Sequence, residues 1–364
     1  MPRVPPNPDS FRKNHFALLL NSLNSSGAEP DPAQSLSVTG TMNASPVVRR
    51  GCLAWLLLLA PLAIPVRASK ITLPPETPAI LDKIYSFDLD GAVEAAKRME
   101  QERPNHPLGY LLETEALWWR IWCTSADFKY GMSDARRRPK LEADRHYFEL
   151  AARALSLAEA QIKQRESAEM QFYAGMAEAS SARLYGLRGE NRNAARSGVR
   201  GREHLLRAKA LDADLADADL GLGLYDYYAD TLSSIARILR FFMGIPGGSK
   251  QEGVRLLEHA TAHGVLTSNI ARFYLALNLH RYDQQYEKAL TVLGPLVEKY
   301  PANPLFQLAR GDLYAKLGRK QQALACYRIA SALLVQNAEC QTHVQELARA
   351  SIAALGMKNE GGDH

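Results

Sequence analysis

Beyond Ala68 the apolar positions follow a helical spacing, and prolines and glycines gather at intervals, as helices joined by short turns require. Alternation of period two, the mark of a half-buried strand, is almost absent. The segment KQEGVRLLEHATAHG sets Val254, Leu256 and Leu257 on an inner side and ends at Gly264, a C-terminal glycine. Start signals stand at Thr77-Pro78 and at Asn303-Pro304, where asparagine caps and proline takes the first helical position. Between such anchors we expect helix pairs near 78–103, 107–165, 167–211, 215–264, 267–300 and 303–335, and a closing helix near 338–355. Thr124 to Lys140 forms an extended loop inside the second pair. The helix from about Ala216 to Met243 is longer than its counterparts.

The clearest unit, NPLFQLARGDLYAKLGRKQQALACYRIASALL, carries Gly311, Tyr314, Leu317-Gly318, Ala323, Tyr327 and Ala330 at alternating small and large positions. Two antiparallel helices approach closely only where Gly311 and Ala323 stay small, while Tyr314 and Tyr327 fill the flanking gaps. Tyr286-Glu287-Lys288-Ala289-Leu290 opens the matching helix of the preceding unit, and Ala289 lies 34 residues before Ala323. In motif and period these units resemble the tetratricopeptide repeat (TPR). Gln307 and Arg310 depart from it, standing where large apolar residues are usual. The resemblance implies an all-α, TPR-like α-solenoid of antiparallel helix pairs wound as a right-handed superhelix. Gly175 and Gly223 are assigned the same packing role as Gly311.

The formal charge of +5 is concentrated in the first 68 residues: six Lys/Arg against three Asp/Glu lie there, leaving 38 against 36 afterwards. That balance argues against a nucleic-acid partner. From Met42, Arg49-Arg50 form a positive start, Cys52 to Ile64 an apolar run of 13 residues, and Val66-Arg67-Ala68 a small-residue cleavage site. We read residues 42–68 as a secretory signal peptide cleaved after Ala68, and residues 1–41 as a disordered extension or start-site artefact. Residues 69–355 are then the repeat domain and 356–364 a tail. Export places the chain in the periplasm or outside the cell, with membrane attachment only if the leader is retained. Cys123, Cys326 and Cys340 remain after cleavage; the odd number excludes a disulfide framework. A Cys326–Cys340 bridge is conceivable, with buried free thiols preferred.

The stretch ILRFFMGIPGGSK, residues 238–250, could be a phosphate loop, a membrane dip or a joint between helices. Ser precedes Lys250 and Gln follows it, which breaks the phosphate-loop pattern, and Arg240 interrupts an apolar run already too short for a bilayer. Ser249 and Glu252 instead make the S-x-x-E of a capping box, so Gly247-Gly248 serve a joint. The wider passage GLGLYDYYADTLSSIARILRFFMGIPGGSKQEGVRLLEHATAHG resembles part of the tetratricopeptide-repeat-39 family, which includes a fungal mitochondrial outer-membrane protein associated with clearing inclusion bodies. The secretory leader argues against carrying over a mitochondrial role.

Chemistry is sparse. His259 and His263 sit four apart on one helix face, a spacing that lets two imidazoles share a metal. The glutamate of H-E-x-x-H is missing and no neighbouring Cys or Asp completes the set, so a structural role at the helix C-terminus is preferred, and no metal or other cofactor is expected. Tyr110, Trp118, Trp119 and Trp122 form one aromatic band, and Tyr225, Tyr227 and Tyr228 another. Of these, Tyr110, Trp118, Trp119, Trp122, Tyr225 and Tyr228 are the candidates for gripping a protein or peptide in a concave groove, with packing between repeats as the plainer alternative. Adjacent Trp118 and Trp119 cannot face the same side, so one should be more exposed. Arg136-Arg137-Arg138 could meet an acidic partner. The expected role is a non-catalytic interaction scaffold. The rivals are a pocket among the helices at 215–264, favoured by a polar cluster of Tyr225, Asp226 and Arg237, and a membrane-anchored form.

Overall fold

A computed structural model describes residues 71–125, 140–231 and 245–357. The chain divides at residue 64, and the described residues all belong to the second unit, 65–364. The N-terminal extension, the leader, Arg136–Arg138, Arg237, most of the stretch 238–250 and the last seven residues lie outside the described residues.

Thirteen helices follow one another among the described residues, with no strand. They are α1 (Thr77–Tyr85), α2 (Leu89–Glu102), α3 (Pro107–Ser125), α4 (Glu142–Gln164), α5 (Ala168–Leu187), α6 (Asn191–Leu211) and α7 (Ala218–Thr231). Then come α8 (Lys250–His263), α9 (Ser268–Arg281), α10 (Tyr286–Lys299), α11 (Pro304–Lys316), α12 (Lys320–Ala332) and α13 (Ala338–Met357). Every helix packs on the next in sequence, and alternate helices touch from α1 to α3, α3 to α5, α5 to α7 and α11 to α13. This is an all-α solenoid of helix pairs.

Side-chain caps set several starts. Asp88 accepts from Gly91 N, Ser167 from Met170 N, and Asn303 from both Leu305 N and Phe306 N. Ser249 accepts from Glu252 N at 3.4 Å, but the Glu252 carboxylate turns to Arg255 at 2.5 and 2.8 Å, so the cap lacks the reciprocal half expected of it. Gly318 closes α11 with φ +72°, where an L side chain would be strained. Gly264 ends α8 differently, with φ −62°; a Cβ there would lie 2.6 Å from Ala260 O. Its role is close approach, since Asp217 reaches past it to accept from Val265, Leu266 and Thr267 N and from the Thr267 hydroxyl. One buried carboxylate of the neighbouring pair thus holds the turn that leads into α9.

Small residues set the crossings. A Cβ on Gly223 would stand 2.9 Å from Gly253 O, and one on Gly253 would stand 2.6 Å from Tyr227 N, so α7 and α8 meet backbone to backbone. Gly175 faces Leu205 and Gly311 faces the Tyr327 ring at similarly short range. Ala289, Ala323 and Ala330 are fully buried, Tyr327 is nearly so, and Tyr314 is half-buried against the core.

The stack does not stay open. The first helices return against the last, along a seam with covalent, aromatic and polar parts. Cys123 at the end of α3 is bonded to Cys340 of α13 across 217 residues. This corrects the pairing considered from sequence: Cys326 is free and buried, because closure brings Cys340 beside α3. Trp119 meets Phe273 and Phe306 at centroid distances of 5.0 and 5.6 Å. Tyr300 packs on Tyr85 and donates its hydroxyl to Asp82 at 2.6 Å, while Asn303 Nδ2 donates to Tyr85 O at 3.0 Å. The cap of α11 is therefore also a seam contact.

Candidate partner-docking site

The aromatic band of α3 is the natural place to seek a binding surface, and the structure puts it indoors. Trp118, Trp119 and Trp122 are each at most 1% exposed. The expectation that one of the adjacent pair faces solvent is corrected: α3 is enclosed on one side by α4 and α5 and on the other by α9, α11 and α13. Trp118 stacks on Trp122 at 6.2 Å, and Trp122 meets Phe273 at 5.2 Å.

A polar cluster is threaded through this core. Arg183 of α5 donates to Glu115 at 2.6 Å and to the Tyr147 hydroxyl at 2.9 Å, and its guanidinium lies 4.5 Å from the Trp118 ring. Trp119 Nε1 donates to the same Glu115 at 3.0 Å. Arg183, Glu115, Tyr147 and Trp119 thus satisfy one another, as burial demands. Burial holds the Tyr147 hydroxyl above its ordinary range, and pushes that of Tyr274 up to about 12. The cavity lined by Phe273, Ala276, Leu277, His280 and Leu313 has space of about 10 Å³, room for one water.

Three of the docking candidates keep partial exposure. Tyr110 lies at the outer end of α3, with the Arg153 guanidinium 5.9 Å from its ring. Tyr225 donates to Pro246 O at 2.9 Å and carries Arg202 over its ring at 5.2 Å. Tyr228 donates to Asn278 Oδ1 at 3.0 Å. Tyr227 is buried between Tyr228 and Tyr282. The structure brings Tyr225 and Asp226 to Arg202, which stands 3.9 Å from the Asp226 carboxylate. Burial raises that carboxyl above its usual range, with Arg202 pulling the other way. Gly248 lies against the α7 backbone, where a Cβ would be 2.4 Å from Asp226 O. Residues 245–249 thus pack on α7 as they lead into α8.

Two charged clusters escaped sequence reading because their members are far apart in the chain. Glu113 of α3, 1% exposed, meets His146 of α4 at 3.0 Å and Lys97 of α2 at 3.6 Å. Beside it the Glu100 carboxyl is pushed up to about 8, chiefly by burial and then by the hydrogen bond and charge of Glu113. The second joins three helices: Asp219 of α7 is 2.6 Å from His259 Nδ1 of α8 and 3.2 Å from Lys209 of α6. The Asp219 partner of His259 is 40 residues away in sequence. Lys140, last of the basic run, pairs with Glu190. Among the described residues no helix is long and apolar enough to cross a membrane, and no group of three or more His, Cys, Asp or Glu is arranged to hold a metal ion.

No protein-family model matches the chain, and no curated protein matches it. Among solved structures it is similar to the crystal structure of yeast Tom70, at 10% identity and a TM-score of 0.27, over 78% of this chain and 91% of that one. So shallow a superposition carries no weight for fold or function; the helix pairs and their glycine crossings do.

Proposed function

We propose that the chain is an exported, non-catalytic TPR-type scaffold that binds a protein or peptide partner in the periplasm or outside the cell, after cleavage behind Ala68. The stacked architecture carries the reading. Helices packed on their sequence neighbours build an extended surface of the kind that serves recognition. Burial of Trp118, Trp119 and Trp122 moves the partner away from the inner aromatic face and onto the rim, where Tyr110, Tyr225 and Tyr228 keep partial exposure. The Cys123–Cys340 bond supports export, because disulfides persist in oxidising compartments.

Two measurements test this. Sequencing the N-terminus of the secreted chain should find Ser69; a chain kept in the cytoplasm with its leader intact refutes the export. Photo-crosslinkers placed singly at Tyr110, Tyr225 and Tyr228 should trap one shared protein, whereas one at Leu334, which is 95% exposed, should not. Equal trapping at all four positions refutes rim docking.

A further inference from the structure

His259 and His263 present their rings side by side on the last turn of α8, with centroids 4.7 Å apart and planes tilted by 48°. Both reach solvent: the His259 side chain is 40% exposed and His263 is an exposed residue. An ionised carboxylate only accepts, so the 2.6 Å contact with Asp219 Oδ2 fixes the proton of neutral His259 on Nδ1 and leaves the Nε2 lone pair free. The Asp219 side chain is 2% exposed, and the Lys209 ammonium stands 3.2 Å from its second oxygen as an ion pair and donates to Oδ2 at 3.4 Å. It is therefore placed as an orienting group, buried behind His259. Histidines that bind metals characteristically donate their other ring nitrogen to such a carboxylate.

The ring separation suits a shared ion. With metal–nitrogen bonds of about 2.1 Å, the centroid of a coordinating imidazole lies roughly 3.2 Å from the metal, so centroids 4.7 Å apart would subtend about 95° at an ion that both free nitrogens face. Two adjacent coordination positions meet at such an angle. Arg255, one turn before His259, is neutralised by Glu252 at 2.5 and 2.8 Å and does not repel a cation there.

We propose that His259 and His263 form a two-imidazole site for a divalent transition metal of the copper, nickel and zinc class, with Asp219 orienting His259 and water or an incoming ligand filling the remaining positions. Imidazole pairs favour these ions over magnesium or calcium, and copper binds tightest by the Irving–Williams order. The site is independent of the scaffold reading.

The test is Cu²⁺ titration of the purified, untagged mature chain by calorimetry, with electron paramagnetic resonance of the complex. One ion per chain, with hyperfine splitting from two nitrogens, is expected. His263→Ala, at an exposed position, and His259→Gln, whose amide still donates to Asp219, should each weaken binding at least tenfold. Asp219→Asn should weaken it about tenfold while circular dichroism stays helical. Unchanged affinity in either histidine variant, or a signal that persists in both as adventitious copper at other histidines, overturns the proposal. If Asp219→Asn does not fold, the two histidine variants decide the outcome alone.

Discussion

The crossing of α7 with α8 and the seam that returns α1 and α3 to α9–α13 both bring helices into contact, by opposite means. At the crossing, the contact is made by having no side chain: Gly223 and Gly253 let two backbones touch, and the helices involved are consecutive among the described residues. At the seam, the contact is made by large and polar groups, Trp119 against Phe273 and Phe306, Tyr300 on Asp82, Asn303 on Tyr85, and a disulfide spanning 217 residues. Local stacking needs only shape. Long-range closure costs chain entropy, and correspondingly carries directional and covalent bonds.

The largest effect expected is at the covalent link. Removing it through Cys123→Ser with Cys340→Ser should cost up to about 5 kcal/mol on the chain-entropy model for a loop of 217 residues. Denaturant unfolding should then split from one transition into two, as the seam parts before the stack. A single unshifted transition would show that the seam does not depend on the bond.

Next is Trp119→Ala, which removes the aromatic side of the same seam and leaves Glu115 without one donor. It should cost about 3–5 kcal/mol by thermal or chemical unfolding. At the crossing, Gly253→Ala sets a methyl 2.6 Å from Tyr227 N and should cost about 1–3 kcal/mol. Gly294→Ala is its control: nothing lies within 4 Å of a Cβ there, and the change should stabilise α10 by about 0.5–1 kcal/mol. If both glycine variants behave alike, close approach is not what glycine supplies at the crossing.

A further effect depends on pH. With its folded value near 8 against an ordinary 4.5, the Glu100 carboxyl keeps a proton that the unfolded chain releases. The stability it contributes is full below about pH 4.5 and is lost as pH rises towards 8. Glu100→Gln should therefore match the parent near pH 4 and exceed it by roughly 1–2 kcal/mol near pH 9, read from melts across that range. A constant difference at all pH values would place the effect outside this titration.

Sequence made the stack legible because its signals are local. Asn303-Pro304 and Leu317-Gly318 mark α11, Gly311 facing Tyr327 marks a crossing, and the pairs expected from 78 to 335 fall within a few residues of the observed helices. The seam was not legible, since nothing in the spacing of Cys123 and Cys340 foretells their meeting. The same blindness covers the aromatic stripe on α3, which reads alike whether it lines a groove or fills a core; only the return of α9 and α11 decides that Trp119 is covered. His259 looked like a helix-end histidine because its partner Asp219 stands 40 residues earlier, on α7.

Closure also bears on how this protein can evolve. Open solenoids lengthen by duplicating one unit, since each new copy needs only a neighbour. Here Tyr300 must arrive opposite Asp82, and Cys340 opposite Cys123. An inserted or deleted unit would carry these partners past each other, so the number of repeats is fixed by circumference, and change must come by substitution.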